Sequence, residues 1–350
     1  MTTFRLLASG FAALAMAALA PSAPAAAHSR PPSWQATETG VTNQFRGLAA
    51  VSRTTAWVAG ATGVVLRTTD GGRHWRNVSP PDAAGLEFRD VEAFDARRAV
   101  VLAIGDGDAS RIYATSDGGA HWTRAFTNDE PKAFYDCMTF FDSRRGLALS
   151  DPVDGKFRLL ATADGGRTWK VRPSDGMPDA LPGEFAFAAS GTCLVSSGPY
   201  DAWIASGGGS ASRVFHSSDG GRHWRVVDTP VPSGATAGIY SLAFRTRWLG
   251  IAVGGDYNKP AEAPNAAAVS FGGRTWKGLA GPGAYRSGAA WVPHTLATVI
   301  AVGPTGSDIS TDAGRTWQRF DTGALDGVQC AADGGCWGSG PKGRVVRLSR

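Results

Sequence analysis

Thr68-Thr69-Asp70-Gly71-Gly72-Arg73-His74-Trp75 is one of six copies of a single eight-residue pattern. Thr115 to Trp122 reads Thr-Ser-Asp-Gly-Gly-Ala-His-Trp, and Thr162 to Trp169 reads Thr-Ala-Asp-Gly-Gly-Arg-Thr-Trp. Ser217 to Trp224 and Ser310 to Trp317 repeat it around Asp219 and Asp312. A sixth copy, Val269 to Trp276, keeps Gly273, Thr275 and Trp276 but has Phe271 where the others have Asp. Such self-similarity sets the architecture first, because each repeat needs its neighbours to bury its apolar face.

Each copy lies between apolar runs. Val64-Val65-Leu66, Leu159-Leu160 and Val214-Phe215 precede it; Val171 and Val226-Val227 follow it. The pattern is therefore a tight turn joining two strands. Asp in such a turn accepts hydrogen bonds from backbone N–H groups a residue or two ahead. The glycines allow positive φ without a Cβ clash. The Trp begins the outgoing strand and is expected in the core, where a fully buried indole hides roughly 150–250 Å². At about 25 cal/mol per Å², the upper bound is roughly 4–6 kcal/mol per copy. On this reading Asp70, Trp75, Asp117, Trp122, Asp164, Trp169, Asp219, Trp224, Trp276, Asp312 and Trp317 hold the scaffold and carry no chemistry.

The pattern resembles the Asp-box (Ser/Thr-x-Asp-x-Gly-x-Thr-Trp), or BNR repeat, of sialidase-like β-propellers. The resemblance implies that the turn joins the two outer strands of a blade, on the face away from the binding site. From Trp34 to the C-terminus the chain is most similar to the secreted relatives of the photosystem II stability/assembly factor family.

The motif Trp residues recur about every 48 residues, the length of a four-stranded propeller blade. That period divides residues 28–350 into nearly seven units. Blades are expected at about 45–78, 87–126, 134–172, 184–227, 239–279 and 286–320. After Trp317 only three strands remain, within 326–348. The N-terminal segment 33–39 supplies the fourth, with Trp34 standing where a motif Trp would stand. Closing the ring this way removes an open sheet edge. The expected fold is an all-β, seven-bladed propeller in one domain over 28–350; six blades is the alternative.

Residues 1–27 read as a secretory signal peptide: Arg5, an apolar run from Leu6 to Ala20, and Ala25-Ala26-Ala27 before His28. The apolar run is shorter than the roughly 20 residues a span requires. The protein is thus expected outside the cytoplasm, periplasmic or extracellular, without a membrane span and as a monomer. Cys330 and Cys336 flank a hairpin turn and are expected to pair, as thiols of exported proteins do. Cys137 and Cys193 occupy near-equivalent positions in adjacent blades, where a bridge and two buried thiols are both open. The net charge is +5, and arginines are spread through the repeats (Arg73, Arg167, Arg222, Arg274 and Arg315) without clustering, so no nucleic-acid partner is expected.

Propeller topology nominates the site. The starts of the inner strands and the loops between second and third strands share one face, around the mouth of the central channel. Inner-strand starts give Arg46, Arg89, Asp90, Tyr135, Asp136, Glu184, Tyr240, Tyr285 and Arg286; second loops give Asp151, Asp256 and Tyr257. Arg can hold an anionic group bidentately. The expected role is binding or scaffolding of a protein partner, or of a glycan or small anionic ligand. The alternative is a sialidase-like glycoside hydrolase using Asp136, Asp151, Glu184 and Tyr285, since paired carboxylates can serve as acid and base. The sialidase Arg motif is not kept, because Phe45-Arg46 is followed by Gly47-Leu48. An oxidoreductase is a further alternative. No cofactor and no His metal site are expected; Asp106-Gly107-Asp108 offers oxygens for Ca²⁺, with a spacing unlike an EF-hand loop.

Overall fold

In a computed structural model, residue 1 and residues 31–349 are described; the rest of the expected signal peptide and His28 lie outside them. The described strands form seven four-stranded antiparallel sheets. Their inner strands are Phe45–Ala50, Glu87–Ala93, Tyr135–Phe140, Leu194–Ser197, Ala237–Thr246, Gly288–Trp291 and Gly327–Cys330. The seventh sheet takes its outer strand from the N-terminal side: Ser33–Thr37 pairs with Val345–Ser349, Ser33 opposite Ser349 and Thr37 opposite Val345. The seven-bladed reading and its closure stand. Trp34 lies 5.6 Å from Phe320 of blade six, with its indole N–H on Ser307 Oγ at 2.9 Å. Among the described residues no helix is long and apolar enough to cross a membrane.

The repeated turn has one hydrogen-bond scheme. In the first copy the Thr68 hydroxyl donates to Asp70 Oδ1 at 3.0 Å and accepts from Gly72 N at 3.0 Å. Asp70 Oδ1 then accepts from His74 N at 3.0 Å. The carboxylate thus reaches four residues ahead, not one or two, because two successive positive-φ glycines curl the chain back over it. Each turn also donates to a carbonyl in the turn between strands one and two of its own blade. Gly71 N reaches Thr54 O at 2.8 Å and Gly165 N reaches Arg144 O at 2.8 Å. The sixth-blade Asp312 is drawn down to about 2, first by the Thr316 hydroxyl and next by the Thr316 backbone N–H. Its folded value lies below the unfolded value of about 3.9. Its stabilisation is therefore present above about pH 4 and lost as pH falls through about 2. Asp312→Ala should cost about 1 kcal/mol at pH 7, a cap-like loss reduced by solvent, and much less at pH 2. Urea denaturation at the two pH values checks this.

The motif tryptophans are less buried than expected. Trp169 and Trp224 are buried, whereas Trp75, Trp122, Trp276 and Trp317 are half-buried. The reason is where they pack: each lies across the seam onto the preceding blade. Trp122 meets Trp57 of blade one edge-on at 6.4 Å and donates to Val78 O at 2.7 Å. Trp75 meets Trp337 of blade seven at 6.0 Å. A second set, on the second strands, is fully buried and ties forward. Trp57 donates to Asp95 O, Trp203 to Gly273 O and Trp337 to Ser52 O, each in the next blade, at 2.9–3.1 Å.

Both cysteine pairs are disulfides: Cys330–Cys336 across its hairpin and Cys137–Cys193 between blades three and four. Blade four departs from expectation. Phe185-Ala186-Phe187-Ala188 alternates like a strand but is not one. Only an isolated bridge, Phe185 to Gly207, is made, and the inner strand begins at Leu194. Residues 185–192 instead cross the channel. Asp151 Oδ1 of blade three accepts from Ala186 N at 2.8 Å. Arg89 Nη1 of blade two donates to Ala188 O at 2.8 Å, and Ser190 Oγ donates to Ser287 O of blade six at 2.7 Å. Cys193 then fastens the end of the segment to blade three.

Candidate functional site

The crossing segment floors a cavity of about 650 Å³ at the channel mouth. Four wall positions arise from one device. Register skips between Phe45 and Gly47, Phe88 and Asp90, Tyr135 and Cys137, and Ile239 and Ser241 leave Arg46, Arg89, Asp136 and Tyr240 as the extra residues of bulges. A bulge re-aims the side chain it carries. Here all four line the cavity.

One side of the cavity is cationic. The Arg46 guanidinium makes no hydrogen bond or ion pair to any described residue. Arg89 Nε is buried without a hydrogen-bond partner, and its nearest acid oxygen, Glu87 Oε2, is 3.9 Å away. Burial, and then the neighbouring Arg46 charge, pull the Arg89 guanidinium down to about 10. Asp326, also on the wall, accepts from Gln44 Nε2 at 3.0 Å; burial pushes its carboxyl up while Arg46 opposes the rise.

Asp136 and Asp151 both line this wall, and two acids held near one another in a buried place disfavour carrying two negative charges. Asp136 is 2% exposed and its Oδ2 has no partner among the described residues. Burial, then Asp151, raises Asp136; burial pushes Asp151 up to about 7. Aromatic rings complete the wall. Phe187 stacks on Tyr240 at 3.9 Å, Tyr285 meets Tyr240 edge-on at 4.7 Å, and half-exposed Tyr257 stands at the rim.

Seven residues nominated from the sequence therefore meet: Arg46, Arg89, Asp136, Asp151, Tyr240, Tyr257 and Tyr285. Five do not. Glu184 is buried inside blade four, paired with Arg213 and accepting from Ser206 Oγ at 2.5 Å and Leu181 N at 2.8 Å. Arg286 is turned into blade six onto Asp308. In both, the side chain satisfies an opposite charge on its own third strand, a stronger demand than facing the channel. Asp90 accepts from Met138 N at 2.7 Å and seals blade two to blade three. Tyr135 is buried against Phe126 at 5.3 Å, between blades two and three. Asp256 is used by its own loop, accepting from Thr236 Oγ1 at 2.8 Å and Asn258 N at 2.9 Å. In the loop offered for Ca²⁺, Asp108 is turned onto Arg111 Nη2 at 3.0 Å.

The floor, Phe185 to Ala189, and the wall acid Asp326 were not nominated. A signal for the floor was present in Gly207-Gly208-Gly209. A Cβ at Gly208 would meet the Phe185 ring at 2.3 Å, and one at Gly207 would meet Gly238 Cα at 2.6 Å. The triple glycine is the room that the crossing segment needs.

No family model matches the chain, and no curated protein matches it. Solved structures do. "YCF48 bound to D1 peptide" is 15% identical with a TM-score of 0.63, over 94% of this chain and 99% of that one. YCF48 from Cyanidioschyzon merolae is 14% identical with a TM-score of 0.58, over 90% and 98%. The GH74 enzyme of Niastella koreensis is 12% identical with a TM-score of 0.61; this chain spans 89% of itself and 53% of that protein. The likeness is one of fold, the ring of a YCF48-like propeller.

Proposed function

We propose that this chain is an exported binding module that takes a segment of a partner protein into the channel mouth. The partner's anionic group would sit on Arg46 and Arg89, and its apolar side chains against Phe187, Tyr240 and Tyr285. One observation carries the reading: two adjacent guanidinium groups, one without a partner among the described residues, on the wall of an aromatic cavity. Like charges held side by side repel, and an anion between them relieves the repulsion. Two disulfides fit an oxidising compartment. The YCF48 structure with a D1 peptide makes a peptide ligand reasonable on this fold. The hydrolase alternative is weaker: Glu184, one of its acids, is buried against Arg213 inside blade four and does not reach the cavity that Asp136 and Asp151 line.

Selection of random peptides displayed on phage against the immobilised protein tests this. Enriched peptides should combine an acidic group with aromatic or aliphatic residues. Arg46→Glu should weaken them at least about tenfold, or about 1.4 kcal/mol. Equal enrichment on wild type and on Arg46→Glu would refute the reading.

Affinity should also depend on pH. As Asp151, pushed up to about 7 by burial, ionises, the wall that carries Arg89 gains a negative charge. That charge competes with the ligand's anion, so binding should weaken from about pH 6 to 8.5, by roughly threefold to tenfold. Asp151→Asn should flatten the profile in fluorescence anisotropy titrations. A profile as steep in the variant would assign the titration to another group.

A further inference from the structure

Phe271 is the one motif Asp position that carries an apolar side chain, and it is 59% exposed. The turn closes without the carboxylate, because Gly272 N still donates to Trp248 O at 2.6 Å. Trp248 is itself 56% exposed, and its neighbour Leu249 pairs with Phe271 across the sheet. Tyr200 of blade four and Leu296 of blade six, 91% exposed, occupy the corresponding first turns. These turns lie on the face opposite the cavity. In blades one to three the equivalent carbonyls, which accept from the repeated turn, belong to Thr54, Arg97 and Arg144. One half of the face is polar, and the other carries exposed apolar tips on three consecutive blades.

Cations accompany the tips. The Arg247 guanidinium lies 4.3 Å over the Trp248 ring and pairs with Asp201 at 3.6 Å. Arg274 and Lys277, which flank the Trp276 turn, make no ion pair with any described residue. We propose that blades four to six dock this face onto an anionic lipid bilayer, with Trp248, Phe271 and Leu296 entering the headgroup region and Arg247, Arg274 and Lys277 meeting lipid charge. Aromatic and aliphatic tips ringed by cations have the composition of an interfacial anchor. The tips stand on separate turns with polar backbone between them. A fluid bilayer moulds itself to such points, whereas a folded partner would have to match them with a packed surface. The cavity then faces away from the membrane and stays open. This docking is independent of what the cavity binds.

Co-sedimentation with vesicles of phosphatidylcholine, with and without about a third of phosphatidylglycerol, tests the proposal. Wild type should bind the anionic vesicles at least about tenfold tighter than the neutral ones, and less tightly at high salt. Phe271→Asp restores the residue the other turns carry and so keeps the fold; with Trp248→Ser it should lower binding at least about tenfold. Arg274→Glu should remove the preference for anionic vesicles. Failure of wild type to sediment with either vesicle overturns the proposal. So does binding that Arg274→Glu abolishes but the Phe271→Asp/Trp248→Ser pair leaves unchanged, since the tips then play no part. A wild-type dimer in sedimentation velocity that Phe271→Asp dissolves, without vesicle binding, would assign the patch to a second copy of the chain.

Discussion

Arg286→Met should lower the stability of the fold by about 3–5 kcal/mol, because it leaves a buried carboxylate without its main counter-charge. Arg286 is 0% exposed. Its Nε donates to Asp308 Oδ2 at 2.7 Å and its Nη2 to the same oxygen; its Nη1 reaches Tyr285 O at 2.8 Å and Thr305 Oγ1 at 2.9 Å. After the substitution Asp308 keeps only Arg319 Nε, at 3.3 Å. At about 2–4 °C per kcal/mol, the melting temperature should fall by roughly 10 °C. The double variant Arg286→Met/Asp308→Leu should recover much of that loss, since a well-packed apolar pair often matches a buried ion pair. Calorimetry of the three proteins decides the matter. A loss below about 1 kcal/mol in the single variant would mean that water reaches Asp308 and that the pair is not a buried one.

The second large effect is expected at the channel floor. Cys137–Cys193 closes a 56-residue separation, against 6 for Cys330–Cys336. On the chain-entropy argument these correspond to about 4 and about 2 kcal/mol. Replacing Cys137 and Cys193 by Ala should therefore cost about 4 kcal/mol, twice the cost at the hairpin. It should also act locally. Cys193 anchors the segment that carries Phe187 and Ala188, so the cavity floor should loosen. Hydrogen exchange of residues 185–192 should rise by at least about tenfold, while the strands of blade one stay protected. Exchange that rises equally in all blades would show that the disulfide stabilises the ring as a whole and does not hold the floor.

The elements differ in how far local chemistry announced them. The repeated turn was legible to its hydrogen bonds, because Ser or Thr, Asp and glycine are there for backbone reasons that operate within eight residues. Only the reach of the Asp carboxylate came out longer. Trp34 was recognisable as the missing Trp of blade seven because the repeat supplied a template. Blade four shows the limit. Its Phe-Ala-Phe-Ala alternation is the pattern of a half-buried strand, and period two describes equally well a segment that crosses a channel between aromatic walls. Its glycine triple makes room for the Phe185 ring, yet nothing local linked Gly208 to Phe185.

The candidate site divides the same way. Arg46, Arg89, Asp136 and Tyr240 were legible as inner-strand starts; that each is the extra residue of a bulge was not. Glu184 and Arg286 hold the same nominal position and turn inward, because Arg213 and Asp308 offer charges about 20–30 residues away in the chain. By itself, then, the sequence determined the number of blades and their turns, products of contacts that repeat at short range, and the repeat supplied the template that singled out the closing strand. Tertiary structure alone decided which polar residues share the cavity and what floors it. Those outcomes depend on contacts such as Arg89 to Ala188, 99 residues apart. They arise from competition between burying a charge against a partner and leaving it facing water, and that competition is settled only when the blades come together.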